Sequence, residues 1–159
     1  MKKLLSVLCA IFAGSVLYAQ SADVITDILA SEKATVGQVA YLCAVQQQLM
    51  AETEDYDIAV ETLVSYGQLP EGSEASDAIS LADTAYMLSK NWTVKGGLMY
   101  LLTKGSKRYA FRQFVSDGVI SSNAEPSASL SGSEVLALYS SCLGKYGDFD
   151  LSAVSMEAE

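Results

Sequence analysis

Ile58-Ala59-Val60-Glu61-Thr62-Leu63-Val64-Ser65-Tyr66-Gly67 returns 51 residues later as Tyr109-Ala110-Phe111-Arg112-Gln113-Phe114-Val115-Ser116-Asp117-Gly118. At the same offset Ile79-Ser80-Leu81-Ala82-Asp83 falls on Leu130-Ser131-Gly132-Ser133-Glu134 without a gap. A third copy of this second half stands upstream at Ala34-Thr35-Val36-Gly37-Gln38, where Ala40-Tyr41-Leu42 matches Ala85-Tyr86-Met87. A recurrence of this period marks one supersecondary unit used several times.

The unit has a physical reading. Thr35, Ser80 and Ser131 are followed three residues later by Gln38, Asp83 and Glu134. A hydroxyl that caps the third amide, with a later side chain that returns to the cap amide, is the capping-box pattern; Asp83 is its weakest member because its side chain is short. Helices are thus expected to start near 35, 80 and 131, braced by Ile79 and Leu130 just before two of the caps. Val39, Leu42, Cys43 and Leu49 give the first of them a buried stripe. The other half of each unit spaces Ile58, Ala59, Leu63 and Tyr66, or Tyr109, Ala110, Phe114 and Val115, as one helical face. Gly67 and Gly118 follow as left-handed stops, with Leu69 and Ile120 as apolar plugs. Each unit therefore reads as helix, glycine stop, proline-bearing loop and capped helix. An earlier helix over about 23–31 belongs to an incomplete first unit.

This order resembles the S-layer homology (SLH) domain over residues 34–143. The resemblance implies an all-α fold of about three helix-loop-helix units, often with pseudo-threefold symmetry, around one core. It also implies a module that fastens exported proteins to polymers of the cell envelope. The family's Thr-Arg-Ala-Glu-like signature carries a basic residue that helps hold an anionic wall ligand. The corresponding positions here are Val36, Leu81 and Gly132. Thr35, Gln38, Ser80, Asp83, Ser131 and Glu134 match only the helix-capping part of that signature.

The two ends complete the organisation. Lys2 and Lys3, the apolar run from Leu4 to Leu17 and Ala19 after Tyr18 read as a signal peptide over 1–19, with the mature chain starting near Gln20. The run is short for a membrane span. Residues 20–33 form a helical lead-in, and 144–159 an acidic, loosely ordered tail. The expected location is the periplasm or cell envelope of a bacterium.

Composition excludes several function classes. Removing Lys2 and Lys3 from the 10 basic residues leaves 8 against 19 acidic ones, a formal charge of −11 for the mature chain. Nucleic acid, which is bound through its phosphates, is a poor partner for such a chain. The sequence contains no histidine, the commonest general base and metal ligand. It shows no Gly-x-Ser-x-Gly elbow and no glycine-rich phosphate loop. No catalytic residue, metal or cofactor is therefore expected. Glu52, Glu54, Asp55 and Asp57 suit a helix N-terminus better than a calcium loop. Cys43 and Cys142 remain after cleavage, either as a disulfide in an oxidising compartment or as two buried thiols.

One segment breaks the repeat. No acidic residue lies between Asp83 and Asp117, yet Lys90, Lys95, Lys104, Lys107, Arg108 and Arg112 all do. Trp92, Tyr100, Tyr109 and Phe111 accompany them, around a glycine-flanked apolar insertion at 94–105. Trp92, Lys95, Lys104, Lys107, Arg108 and Arg112 are the expected binding surface for an envelope polymer, an anionic membrane surface or an envelope protein. The alternative is a connector whose apolar residues fill the core. An interaction subunit docked on an outer-membrane protein, or a carrier with Leu98 to Leu102 lining a cavity for an apolar small molecule, are the other function classes.

Overall fold

The computed structural model describes residues 22–52, 55–92 and 94–147. The expected signal peptide and cleavage site, Glu54 of the acidic cluster and the tail beyond residue 147 lie outside the described residues. Within them the chain is all-α, as expected. Helix α1 covers residues 22–30, followed by α2 (Val36–Gln46), α3 (Tyr56–Ser65), α4 (Leu81–Leu88), α5 (Leu98–Leu102), α6 (Lys107–Ser116) and α7 (Gly132–Tyr146). No helix among the described residues is long and apolar enough to cross a membrane.

Capping chemistry sets the three expected helix starts. Thr35 Oγ1 accepts from the Gln38 amide at 3.4 Å while Gln38 Oε1 accepts from the Thr35 amide at 3.2 Å. Ser131 and Glu134 make the same reciprocal pair at 3.3 and 2.8 Å. Ser80 accepts from the Asp83 amide at 3.2 Å, but the short Asp83 side chain accepts from the Ser80 hydroxyl and not from the Ser80 amide. Each cap of this kind is worth about 1 kcal/mol.

The helix stops are equally local. Gly67 and Gly118 adopt φ of +66° and +76°, where a Cβ is disfavoured. Gly67 N–H donates to Val64 O and Gln68 N–H to Leu63 O, at 2.9 and 2.8 Å; Gly118 and Val119 repeat this on Val115 and Phe114, at 3.1 and 2.9 Å. These paired bonds satisfy the last carbonyls of α3 and α6. Leu69 and Ile120 then turn back over the helix ends, Ile120 into the core.

What closes the fold is a ring of backbone bonds among the helix starts. The first amides of a helix have no partner within it. Val36 and Gly37 donate theirs to Asp77 O and Ala75 O of the second unit, at 2.8 and 2.9 Å. Leu81 and Ala82 donate theirs to Ala128 O and Pro126 O of the third unit, both at 2.9 Å. Gly132 returns to Ser31 O, in the lead-in to the first, at 2.9 Å. Inside this ring Ile79 N–H donates to Ala34 O and Ala34 N–H to Leu130 O, at 3.3 and 2.7 Å, and all three residues are buried. The units α1–α2, α3–α4 and α6–α7 are thus joined in a cycle, each capped helix resting on its neighbour's lead-in.

The core fills the space between them. Ile28, Val39, Leu63, Leu88, Phe114 and Val135 are fully buried, each such side chain contributing about 1.5–3 kcal/mol relative to exposure. One expected boundary is corrected: residues 144–146 are not tail but the last turn of α7. Tyr146 stacks on Phe114 with ring centroids 5.6 Å apart, and its hydroxyl donates to Asp117 Oδ2 at 2.6 Å. That packing carries the helix past Gly144, where apolar periodicity in the sequence has already faded.

Candidate functional site

Helices α4 and α6 belong to consecutive units and pack side by side, and the insertion leaves and rejoins the fold between them. The basic residues of this region separate into two groups. Lys107 pairs with Asp83 at the start of α4, so its charge is matched within the fold. Lys90 lies 4.7 Å from the centre of the Tyr86 ring and donates to Lys104 O at 3.2 Å; partial burial pushes its pKa down. Lys95, Lys104, Arg108 and Arg112 are exposed, with no ion pair among the described residues. Among the described residues, four of the five cations of the expected surface are thus unpaired, while Lys107 serves as a tie between units.

The insertion is anchored at several points. Val94 is buried, and Gly97 N–H donates to Gln113 Oε1 at 3.0 Å. Tyr100 turns inward and lies directly against Gly96 on one side. On the other side is Gly105, where an added Cβ would meet the Tyr100 ring at 2.9 Å. Lys104 and Gly105 take positive φ, and Gly105 N–H closes α5 on Tyr100 O at 2.8 Å. The two glycines are there because the aromatic ring occupies the volume of their missing side chains. Around this anchor Leu98, Met99, Leu101 and Leu102 face solvent with 69, 53, 63 and 67% exposure. These four stay out of the core, whereas Val94 and Tyr100 of the same insertion pack into or against it.

Beside the insertion an open cleft of about 740 Å³ is lined by Asn91, Trp92, Lys95, Asp117, Lys145 and Tyr146. Trp92 is half-buried and packs on Tyr139 at 5.6 Å. Asp117 is held by Tyr146 Oη and by Gln113 Nε2, at 2.6 and 2.9 Å. Lys95 and Lys145 thus bring two ammonium groups to a wall carrying one carboxylate and two aromatic rings. The sequence pointed to Trp92 and Lys95. Lys145 joins them only through the last turn of α7 and had no signal in its local sequence. Burial, followed by the hydrogen bond to Asp117, raises the Tyr146 pKa.

The helix-capping residues have a structural task. In α2 and α4 the first two amides go to the neighbouring unit and the third to the cap, leaving none of the three for a bound anion. At Gly132 any side chain would collide with the carbonyl of Ile28. A basic residue cannot occupy that position while α1 stays where it is. Asp55 caps α3 through the Ile58 amide at 3.0 Å, with Asp57 in the same first turn, so these two acids favour the helix N-terminus. Cys43 and Cys142 are buried free thiols, and burial pushes each up to about 12.

No protein-family model matches this chain, and no curated protein or solved structure is significantly similar to it.

Proposed function

We propose that this chain is an exported, non-catalytic module of a bacterial cell envelope that associates with an anionic envelope component through the exposed cations of the segment between α4 and α6. The observation that carries this reading is the separation of charge. In a chain of net charge −9, residues 84–116 contain no acid, and Lys95, Lys104, Arg108 and Arg112 stand exposed there without a carboxylate partner among the described residues. Such a local basic face attracts anions despite an acidic whole, over distances of about 8–10 Å at ordinary ionic strength.

The cyclic arrangement of three units supports the resemblance to SLH domains and with it an envelope role. The residues at the family's basic position are Val36, Leu81 and Gly132, so a wall-polymer contact of the family's usual kind has no side chain to make it. The basic segment takes over that role in this reading, and the Trp92 cleft with Lys95 and Lys145 offers an aromatic wall beside it.

Co-sedimentation with purified wall material and with anionic vesicles, as a function of salt, tests the proposal. Wild type is expected to bind at least one of them in a salt-sensitive way. The triple reversal Lys95→Glu, Lys104→Glu and Arg108→Glu is expected to weaken that binding tenfold or more. Absence of salt-sensitive binding to both materials would overturn it.

A further inference from the structure

The same segment presents an apolar surface that charge attraction alone does not use. Four large aliphatic side chains, Leu98, Met99, Leu101 and Leu102, project from the five residues of α5, and each is more than half exposed. Surface leucines scattered singly are ordinary, whereas a contiguous cluster of this kind marks an interaction site. The cluster is not a loose excursion. Tyr100 is wedged between Gly96 and Gly105, Val94 is buried, and Gln113 and Lys90 hold the two ends through hydrogen bonds to Gly97 N–H and Lys104 O. The fold fixes the backbone of the knuckle and directs its aliphatic side chains outward.

Lys95 lies three residues before the apolar run and Lys104 two residues after it, both exposed and unpaired among the described residues. Long basic side chains on either side of a short aliphatic tip suit an interface where the tip enters hydrocarbon and the ammonium groups reach anionic head groups. The exposed side chains of α5 are purely aliphatic or thioether and carry no polar group that would need a matched partner in a protein interface. Resting on the envelope role proposed above, we infer that α5 inserts into the surface of an anionic lipid bilayer, with Lys95 and Lys104 at the head-group level.

The test uses the protein isolated from the envelope fraction of a bacterium expressing the full chain. It is added to vesicles of phosphatidylcholine with 30% phosphatidylglycerol. Leu101→Trp is expected to give a blue-shifted emission on binding, quenched by lipids brominated along the acyl chain. The triple variant Leu98→Ser, Leu101→Ser and Leu102→Ser is expected to lower vesicle partitioning at least tenfold. Its unfolding midpoint should not fall, because the replaced side chains are exposed. Equal partitioning of this variant and wild type would show charge adsorption only, overturning insertion while leaving the envelope reading intact. Binding to wall material but not to vesicles, or a dimer that the serine variant dissociates without any lipid binding, would likewise overturn insertion. Absence of binding to wall material and vesicles alike would remove both readings together.

Discussion

The carbonyl of Ile28 lies directly against the α-carbon of Gly132, so the end of α1 and the start of α7 meet backbone to backbone. This contact closes the cycle of three units, and the adjoining bond from Gly132 N–H to Ser31 O fixes it. Gly132→Ala must push α1 away, and a destabilisation of about 1–3 kcal/mol is expected for such overpacking. Gly144 occupies the same helix, and no described residue lies near its missing side chain. Gly144→Ala should therefore stabilise the chain by about 0.5–1 kcal/mol, as in other helix interiors. Urea unfolding of the two variants checks both magnitudes and their opposite signs.

The caps should rank by geometry. Ser131→Ala removes a reciprocal pair with Glu134 and is expected to cost about 1 kcal/mol, and Thr35→Ala a similar amount. Hydrogen bonds from the Ser131 amide, then from its hydroxyl, hold the Glu134 pKa below its ordinary 4.5. A depressed carboxylate pKa stabilises the fold above the unfolded value and loses that contribution as pH falls through the folded one. The difference between wild type and Glu134→Gln should accordingly shrink as the medium is acidified below pH 4.5, measurable by thermal unfolding across that range.

Two tyrosines make the opposite prediction at high pH. Burial, then a hydrogen bond from Tyr56 Oη to Asp27 Oδ2 at 2.7 Å, raises the Tyr56 pKa above 10.0, and Tyr146 on Asp117 behaves alike. An acid whose folded pKa is raised stabilises the protein fully below the unfolded value, and that contribution is lost as pH rises towards the folded one. Stability should fall above pH 10, and by less in the Tyr56→Phe and Tyr146→Phe variants. Spectrophotometric titration should show these two phenols ionising only as the chain unfolds.

Cys43 and Cys142 sit in α2 and α7, buried and with pKa values pushed up to about 12. The thiolate is the reactive form. At pH 8 the folded protein should give no reaction with a disulfide reagent at either position, and guanidinium should release both thiols. A native protein that reacts at pH 8 before unfolding would contradict this burial.

The fold was largely legible from local chemistry. Thr35, Ser80 and Ser131 announce helix starts because a hydroxyl three residues before an acid or amide can satisfy the otherwise unpaired amide of the first turn. Gly67 and Gly118 announce stops because left-handed backbone suits a residue without Cβ. Both effects act within a few residues, so sequence alone determines them, along with the repeat, the acid-free segment and the absence of histidine. Other features depend on groups far apart in sequence. The ring from Asp77 and Ala75 to α2, from Ala128 and Pro126 to α4, and from Ser31 to α7 exists only when all three units are assembled. The pairing of Lys107 with Asp83 and the arrival of Lys145 beside Trp92 and Lys95 are likewise products of packing. The apolar run at 98–102 is the clearest case. Composition allows it to be core or surface, and its fate turns on one ring: with Tyr100 wedged between Gly96 and Gly105, the remaining side chains of α5 have nowhere to go but outward.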